Sequence, residues 1–171
     1  MDFFDLSYLS GGSAVQRRGY KLLHDKQVME NLAIYDPVLA GTLPLDLFID
    51  GSDLDILGCA RELDNAEKHL TNLFGGPNLI TQQVAVRGIP TLIANFRLDG
   101  FLIEIFLQAV PTRQQAGYIH MINEHKILNE RGVVFSDQVL QLKKSGMKTE
   151  PAFAQLLGLR GDPYEAMLRP F

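Results

Sequence analysis

The chain of 171 residues has a single cysteine, Cys59. That excludes an internal disulfide framework and any zinc site built on several thiolates, and it predicts a reducing, cytoplasmic setting. No apolar run approaches the roughly 18 residues that a membrane-spanning helix needs. The opening residues, Met1-Asp2-Phe3-Phe4-Asp5, are acidic and lack the basic region of a signal peptide. There is no internal repeat and no low-complexity tract. No Lys/Arg cluster is dense enough for an extended nucleic-acid footprint.

What is present is the composition of a globular domain, 46% hydrophobic and 21% charged. The formal net charge of −4 conceals an asymmetry. Residues 1–110 hold 14 acids against 8 Lys and Arg, whereas residues 111–171 hold 6 against 8. The basic half suits a polyanionic ligand such as a nucleoside triphosphate, although scattered solvated charge explains most of those residues equally well.

Ser13 and Gln16 form a capping-box pattern that opens a helix to about Ile34, which Asp36-Pro37 ends. Val38-Leu39-Ala40 reads as a short buried strand running into Gly41-Thr42. Residues 43–52 connect, with 45–49 extended, to a strand over Asp53–Leu57. Asp64 and Glu67 form a second capping-box pattern for a helix that Gly75-Gly76-Pro77 stops. Segments 79–86, 89–97 and 101–108 read as strands, joined by Arg87-Gly88 and Asp99-Gly100 as hairpin turns. Helices then follow: from Thr112 to about Asn129, from a Ser136 cap to about Gly146, from Thr149 to Gly158, and a last short one from Asp162-Pro163. The layout predicts an α+β domain: a mixed sheet with helices on one face and a C-terminal helical region packed at one end. Residues 1–110 form the expected core and 111–171 the helical region, as a single compact unit.

Three acids on two strands are the main chemical signal. Asp53 and Asp55 alternate with Leu54 and Ile56, so both carboxylates project from one strand face, their Cα atoms roughly 6.5 Å apart. Glu104 lies between Ile103 and Ile105 on another strand. Carboxylates carried against a core need partners, and three of them repel unless a cation lies among them. Mg²⁺ takes oxygen ligands and keeps positions for substrate phosphates. Two such ions, held by three acids, serve in-line displacement at phosphorus. Gly41 lets the backbone approach a phosphate, and the Thr42 hydroxyl can donate to one. An Asp-x-Asp pair by itself is often only a solvated turn.

Gly41-Thr42, Asp53-Leu54-Asp55-Ile56 and Leu102-Ile103-Glu104-Ile105 together resemble the signature of the nucleotidyltransferase superfamily typified by DNA polymerase beta. Within it, Pro37 to Thr42, Gly51 to Ile56 and Lys148 to Ala154 resemble an uncharacterised bacterial family of nucleotidyltransferase-like proteins. The resemblance implies Mg²⁺ on Asp53, Asp55 and Glu104, and the triphosphate of an NTP at Gly41 and Thr42. The acceptor is expected to be a hydroxyl of a small molecule or a protein.

Other residues are weaker candidates. Glu124 shares a helix face with His120 and is a candidate general base for an acceptor hydroxyl; a surface carboxylate paired with a basic neighbour is the other reading. His125 reads as a packed core histidine. Lys143, Lys144 and Lys148 are candidate phosphate partners or solvated lysines. Gly11-Gly12-Ser13 imitates the phosphate turn but reads as a helix cap, and Asp50 as a turn carboxylate. A non-catalytic nucleotide- or partner-binding member of the same fold, and an interaction protein whose acids are structural, remain the alternatives to an enzyme.

Overall fold

Segments of two-residue alternation build the middle of the chain into a sheet. The computed structural model describes residues 2–76 and 78–171. In it β1 (Val38–Ala40), β2 (Asp53–Cys59), β3 (Ile80–Val86), β4 (Ile89–Leu98) and β5 (Phe101–Gln108) form one sheet in the order β1-β2-β5-β4-β3. β2 and β5 run parallel; the other three pairings are antiparallel. Both hairpins turn as their residues require. Arg87 and Gly88 have φ of 53° and 77°, and Asp99 and Gly100 have 44° and 88°; two successive positive φ values match the twist of the flanking strands.

One sheet face is fully covered. Leu54 and Ile56, Leu92 and Ala94, and Ile103 and Ile105 pack against Leu22 and Leu23 of α1 (Ala14–Asp25) and Ala66 and Leu70 of α3 (Leu63–Phe74). Each fully buried Leu or Ile contributes about 1.5–3 kcal/mol. The second face is covered only at its β1–β2 end. There Val38, Ala40 and Leu57 pack against Met121, Ile127 and Val139 of α4 (Ala116–Lys144) and Phe153 of α5 (Thr149–Leu157). The expected mixed α+β architecture is present, with the C-terminal helices over the β1–β2 end of the second face. A space therefore remains between them and the polar positions of β2 and β5.

Several local expectations are corrected. The helix expected to reach Ile34 stops at Asp25; Gln27 takes a left-handed conformation (φ 51°), and the short α2 (Val28–Asn31) follows. A straight helix would put Val28 roughly 120° round from Leu22, and the break lets Leu22, Val28 and Leu32 all reach the core. Residues 45–49 form no strand: a succession of turns runs from Gly41 to Asp46, whose φ is 57°, Leu47 donates to the Thr42 carbonyl, and Leu43, Leu45 and Leu47 are buried. Asp64 and Glu67 do not cap α3. Its cap position is Glu62, without a side-chain bond, and both acids instead accept hydrogen bonds from Gln83 across on β3. Pro77 of the expected stop lies outside the described residues. Ser136 caps nothing: α4 breaks at Gly132 (φ 74°, ψ −170°), a backbone region essentially confined to glycine.

Other expectations hold. Ser13 and Gln16 make both halves of the capping box. Gly158 closes α5 with φ 68°. Asp162 accepts from the Glu165 N–H to start α6 (Pro163–Ala166). No helix of the described residues is long and apolar enough to cross a membrane.

Candidate active site

Register places the acids. Asp55 pairs with Glu104 across the parallel β2–β5 contact, so their side chains share a face on strands about 4.8 Å apart. The same rung continues to Ala40 on β1 and Asn95 on β4. Asp53 precedes Asp55 by two residues and projects from that face too. This is the half-covered face, where the three acids line a cavity of about 700 Å³.

β1 runs directly into Gly41, which has φ 66° and packs against Asp55. A Cβ built on Gly41 would lie 1.9 Å from Asp55 Oδ2, so the carboxylate occupies the space any other side chain would fill. Gly41 and the buried Thr42 line the cavity, as do the turn residues Asp50 and Ser52. Leu43 and Pro44 are tied down by Gln16, whose Nε2 donates to both carbonyls, to Leu43 at 2.9 Å.

The C-terminal helices form the opposite wall. Glu124 of α4 is only 3% exposed, and its Oε1 has no hydrogen-bond partner. His120, one turn earlier, presents Nδ1 to Glu150 at 3.2 Å and Nε2 to the Tyr164 carbonyl at 2.9 Å. Buried Lys143 donates to Thr149 Oγ1 at 2.9 Å. Lys144 and Lys148 are exposed at the rim.

The charges are under strain. Burial, with repulsion from Asp53, Glu104 and Glu150, pushes Asp55 up to about 8, against the pull of Lys143. Burial and Asp53 raise Glu104, opposed by a hydrogen bond to Asn95 and the charge of Lys148. Burial, then Glu150 and Asp55, hold the Glu124 carboxyl well above the ordinary range. Burial pulls Lys143 down while Glu124, Glu150 and Asp55 support its charge. For Glu150 burial raises the carboxyl, but the bonds from His120 and its own backbone outweigh it and leave it lowered. Among the described residues no Lys or Arg makes an ion pair with Asp53, Asp55 or Glu104.

Gly41, Thr42, Asp53, Asp55, Glu104, Glu124 and Lys148, singled out from sequence, all line one cavity, together with the weaker candidates His120, Lys143 and Lys144. Sequence reasoning missed Glu150, which reads locally as a helix-opening carboxylate, and its pairing with His120 thirty positions away. His125 lies outside the cavity, edge-on to Phe3 with ring centroids 5.1 Å apart. As the side chains stand, no three His, Cys, Asp or Glu residues among those described are gathered closely enough to hold a metal ion. The donor chemistry nonetheless fits a hard divalent cation: three carboxylate-bearing side chains share one face, none of them in an ion pair with a Lys or Arg among the described residues, and Asp55 and Glu104 are raised first by burial and then by neighbouring acids.

No curated protein matches the chain. Solved structures match its fold. The Cid1 poly(U) polymerase with MgGTP bound is 12% identical, with 74% of this chain and 41% of that one aligned at a TM-score of 0.53. The polymerase core of TRAMP, an RNA surveillance complex, is 16% identical over 95% of this chain and 50% of that one, TM-score 0.51. A chain of the GLD-2/RNP-8 complex is 12% identical over 83% and 56%, TM-score 0.53. The chain spans about two-fifths to just over half the length of these structures, and at such identities the likeness establishes a nucleotidyltransferase-type fold and nothing finer. A family model matches residues 21–169, and the chain belongs to that family, described as Domain of unknown function (DUF4269).

Proposed function

We propose that this protein is a Mg²⁺-dependent nucleotidyltransferase that moves a nucleoside monophosphate from an NTP to a hydroxyl of a small molecule or a protein. The observation that carries the reading is the Asp55–Glu104 rung with Asp53 on the same face, set against Gly41 in one cavity. Residues 1–110 supply the acids and the Gly41-Thr42 bend; residues 111–171 supply the acceptor wall. Asp53, Asp55 and Glu104 would hold Mg²⁺, which when bound supplies positive charge to the triphosphate and acidifies the attacking hydroxyl.

The remaining chemistry belongs to the chain. The Gly41 backbone admits the triphosphate closely, and the Thr42 hydroxyl and Lys148 ammonium donate to its oxygens. The acceptor oxygen attacks the α-phosphorus in line; a new P–O bond forms, the bond to the β-phosphate bridge breaks, and pyrophosphate leaves. Glu124 takes the hydroxyl proton on its unpartnered side. Burial raises its proton affinity, which strengthens it as a base once ionised, and Lys143 favours that ionised form. His120 fixes Glu150 beside it. The C-terminal helices also keep water from much of this wall, which strengthens each electrostatic contact.

Thermal stability with Mg²⁺ and each NTP tests the binding step. A nucleotide at about 100 times its Kd stabilises by about 2.7 kcal/mol, roughly 5–10 °C for a chain of this length. Asp53→Ala is expected to lose that shift, and wild-type protein indifferent to every NTP would overturn the reading. Glu124→Gln is expected to keep the shift within a few degrees while lowering transfer about 10²-fold, measured as pyrophosphate release with a competent acceptor. Equal loss of binding and turnover would place Glu124 in nucleotide binding instead.

A second reading is a nucleotide-binding member of the fold without turnover. The buried Leu43-Pro44 corner favours it, since no cationic side chain follows Gly41-Thr42 there. Stabilisation by Mg²⁺ and NTP without pyrophosphate release across a broad acceptor panel is its signature.

A further inference from the structure

A second cavity adjoins the first. It has a volume of about 560 Å³ and lies between the β3–β4 hairpin, the end of β5, the first turns of α4, and α6. Val86, Ile89, Ile119 and Leu168 give it apolar walls, and its size is that of pockets that enclose small organic ligands. Phe106, Gly117 and His120 line both cavities. Phe106 follows Glu104 by two residues on the same sheet face, so its ring stands between the acids and this apolar space.

Polar groups here exclude a second anion. Arg87 is already paired with Glu165, and Asp162 adds a further acid. That ion pair ties the hairpin to α6 over the cavity. Gln115 is 2% exposed. Its Nε2 donates to the Gly58 carbonyl at 2.8 Å and to that of Val110 at 3.0 Å. Both amide hydrogens are thereby committed and the amide's orientation is fixed, yet Oε1 is buried without a donor. A buried acceptor left unmet costs free energy that a ligand N–H or O–H would recover.

We propose that this cavity is the acceptor subsite, and that it takes a neutral alcohol with an aromatic or aliphatic body and one further hydrogen-bond donor. The body fills the space among Val86, Ile89, Ile119 and Leu168, and the donor meets Gln115 Oε1. The hydroxyl reaches past Phe106 and His120 toward Glu124, which lies one helical turn after His120 on the same face. The acceptor role rests on the transferase reading above; the ligand chemistry of the cavity does not.

Tryptophol, an indole with an N–H donor and a primary alcohol, is a suitable probe, and its 1-methyl analogue lacks only the donor. Titration of the full chain followed by calorimetry or ligand-detected NMR is expected to show one saturable site for tryptophol. Methylation is expected to weaken it at least fivefold. Ile119→Trp and Leu168→Trp, each filling the cavity from a different wall, are expected to weaken it at least tenfold while keeping the thermal shift with Mg²⁺ and NTP. Absence of saturable binding at millimolar tryptophol, or binding unchanged in both folded tryptophan variants, overturns the proposal. Equal affinity for the methylated probe overturns the Gln115 contact. Tryptophol binding that the variants abolish, in a protein that ignores Mg²⁺ and NTP, upholds the cavity's ligand chemistry and defeats the transferase reading instead.

Discussion

Asp55→Asn is expected to raise the melting temperature of the metal-free protein at pH 8 by roughly 5–10 °C and to lower transfer by about 10³-fold. Burial and three neighbouring acids push Asp55 up to about 8, against about 3.9 in an unfolded chain. The folded state therefore holds this proton more tightly than the unfolded state does. Below about pH 4 both states are protonated and the group carries no cost; as pH rises from there to about 8, stability drains away. Each pKa unit corresponds to about 1.36 kcal/mol. Relaxation of the carboxylates away from one another reduces the full span, leaving about 2–4 kcal/mol to be recovered by a neutral amide. Glu104 is raised for the same reasons and adds to the slope.

Melting curves from pH 5 to 9, with and without Mg²⁺, separate the possibilities. Wild-type protein is expected to lose stability with rising pH, and Mg²⁺ is expected to restore it most at the alkaline end. In Asp55→Asn the slope should be shallower and the response to Mg²⁺ small. Parallel pH profiles for the two proteins would mean that the carboxylate is already compensated within the fold. The need for a cation would then be gone.

Gly41→Ala is expected to damage stability and the acidic site together. The added Cβ would lie 1.9 Å from Asp55 Oδ2 and 2.8 Å from its Cγ, on a residue whose φ is 66°. The left-handed conformation alone costs an alanine roughly 1–2 kcal/mol. Displacing the carboxylate adds to that and moves one of the three acids off its position, so the thermal shift with Mg²⁺ and NTP should vanish. Chemical denaturation of a double-mutant cycle isolates the steric part. In an Asp55→Ala background the same glycine substitution should cost only the backbone strain, roughly 1–2 kcal/mol. Equal costs in both backgrounds would show that Gly41 and Asp55 do not meet.

Much of the chain was legible because its signals are local. A Ser13 hydroxyl and a Gln16 amide three residues apart satisfy each other's orphan backbone donors whatever the rest of the protein does. Arg87-Gly88 and Asp99-Gly100 carry the backbone angles of tight hairpins in their residue types. The same holds for Asp53 and Asp55, since a period of two forces both to one face. The errors fell where a distant partner overrode a local preference. Asp64 and Glu67 look like a cap but are claimed by Gln83 on a strand. The first helix breaks at Gln27 because Val28 must reach the same core as Leu22, and no pattern near Gln27 announces it.

By itself, then, the amino-acid order determined the element types, the turn positions and the pair of carboxylates on β2, because each depends on a few neighbouring side chains and the backbone between them. Only the tertiary structure decided that Glu104 stands level with Asp55 and that Asp55 fills the hollow over Gly41. It alone decided that Glu124, Lys143, Glu150 and His120 close the far wall. Those juxtapositions come from a parallel pairing across an intervening helix and hairpin, and from burying the apolar faces of α4 and α5 on β1 and β2. Both are set by long-range packing, whose free energy depends on how complete surfaces meet rather than on any short stretch of chain.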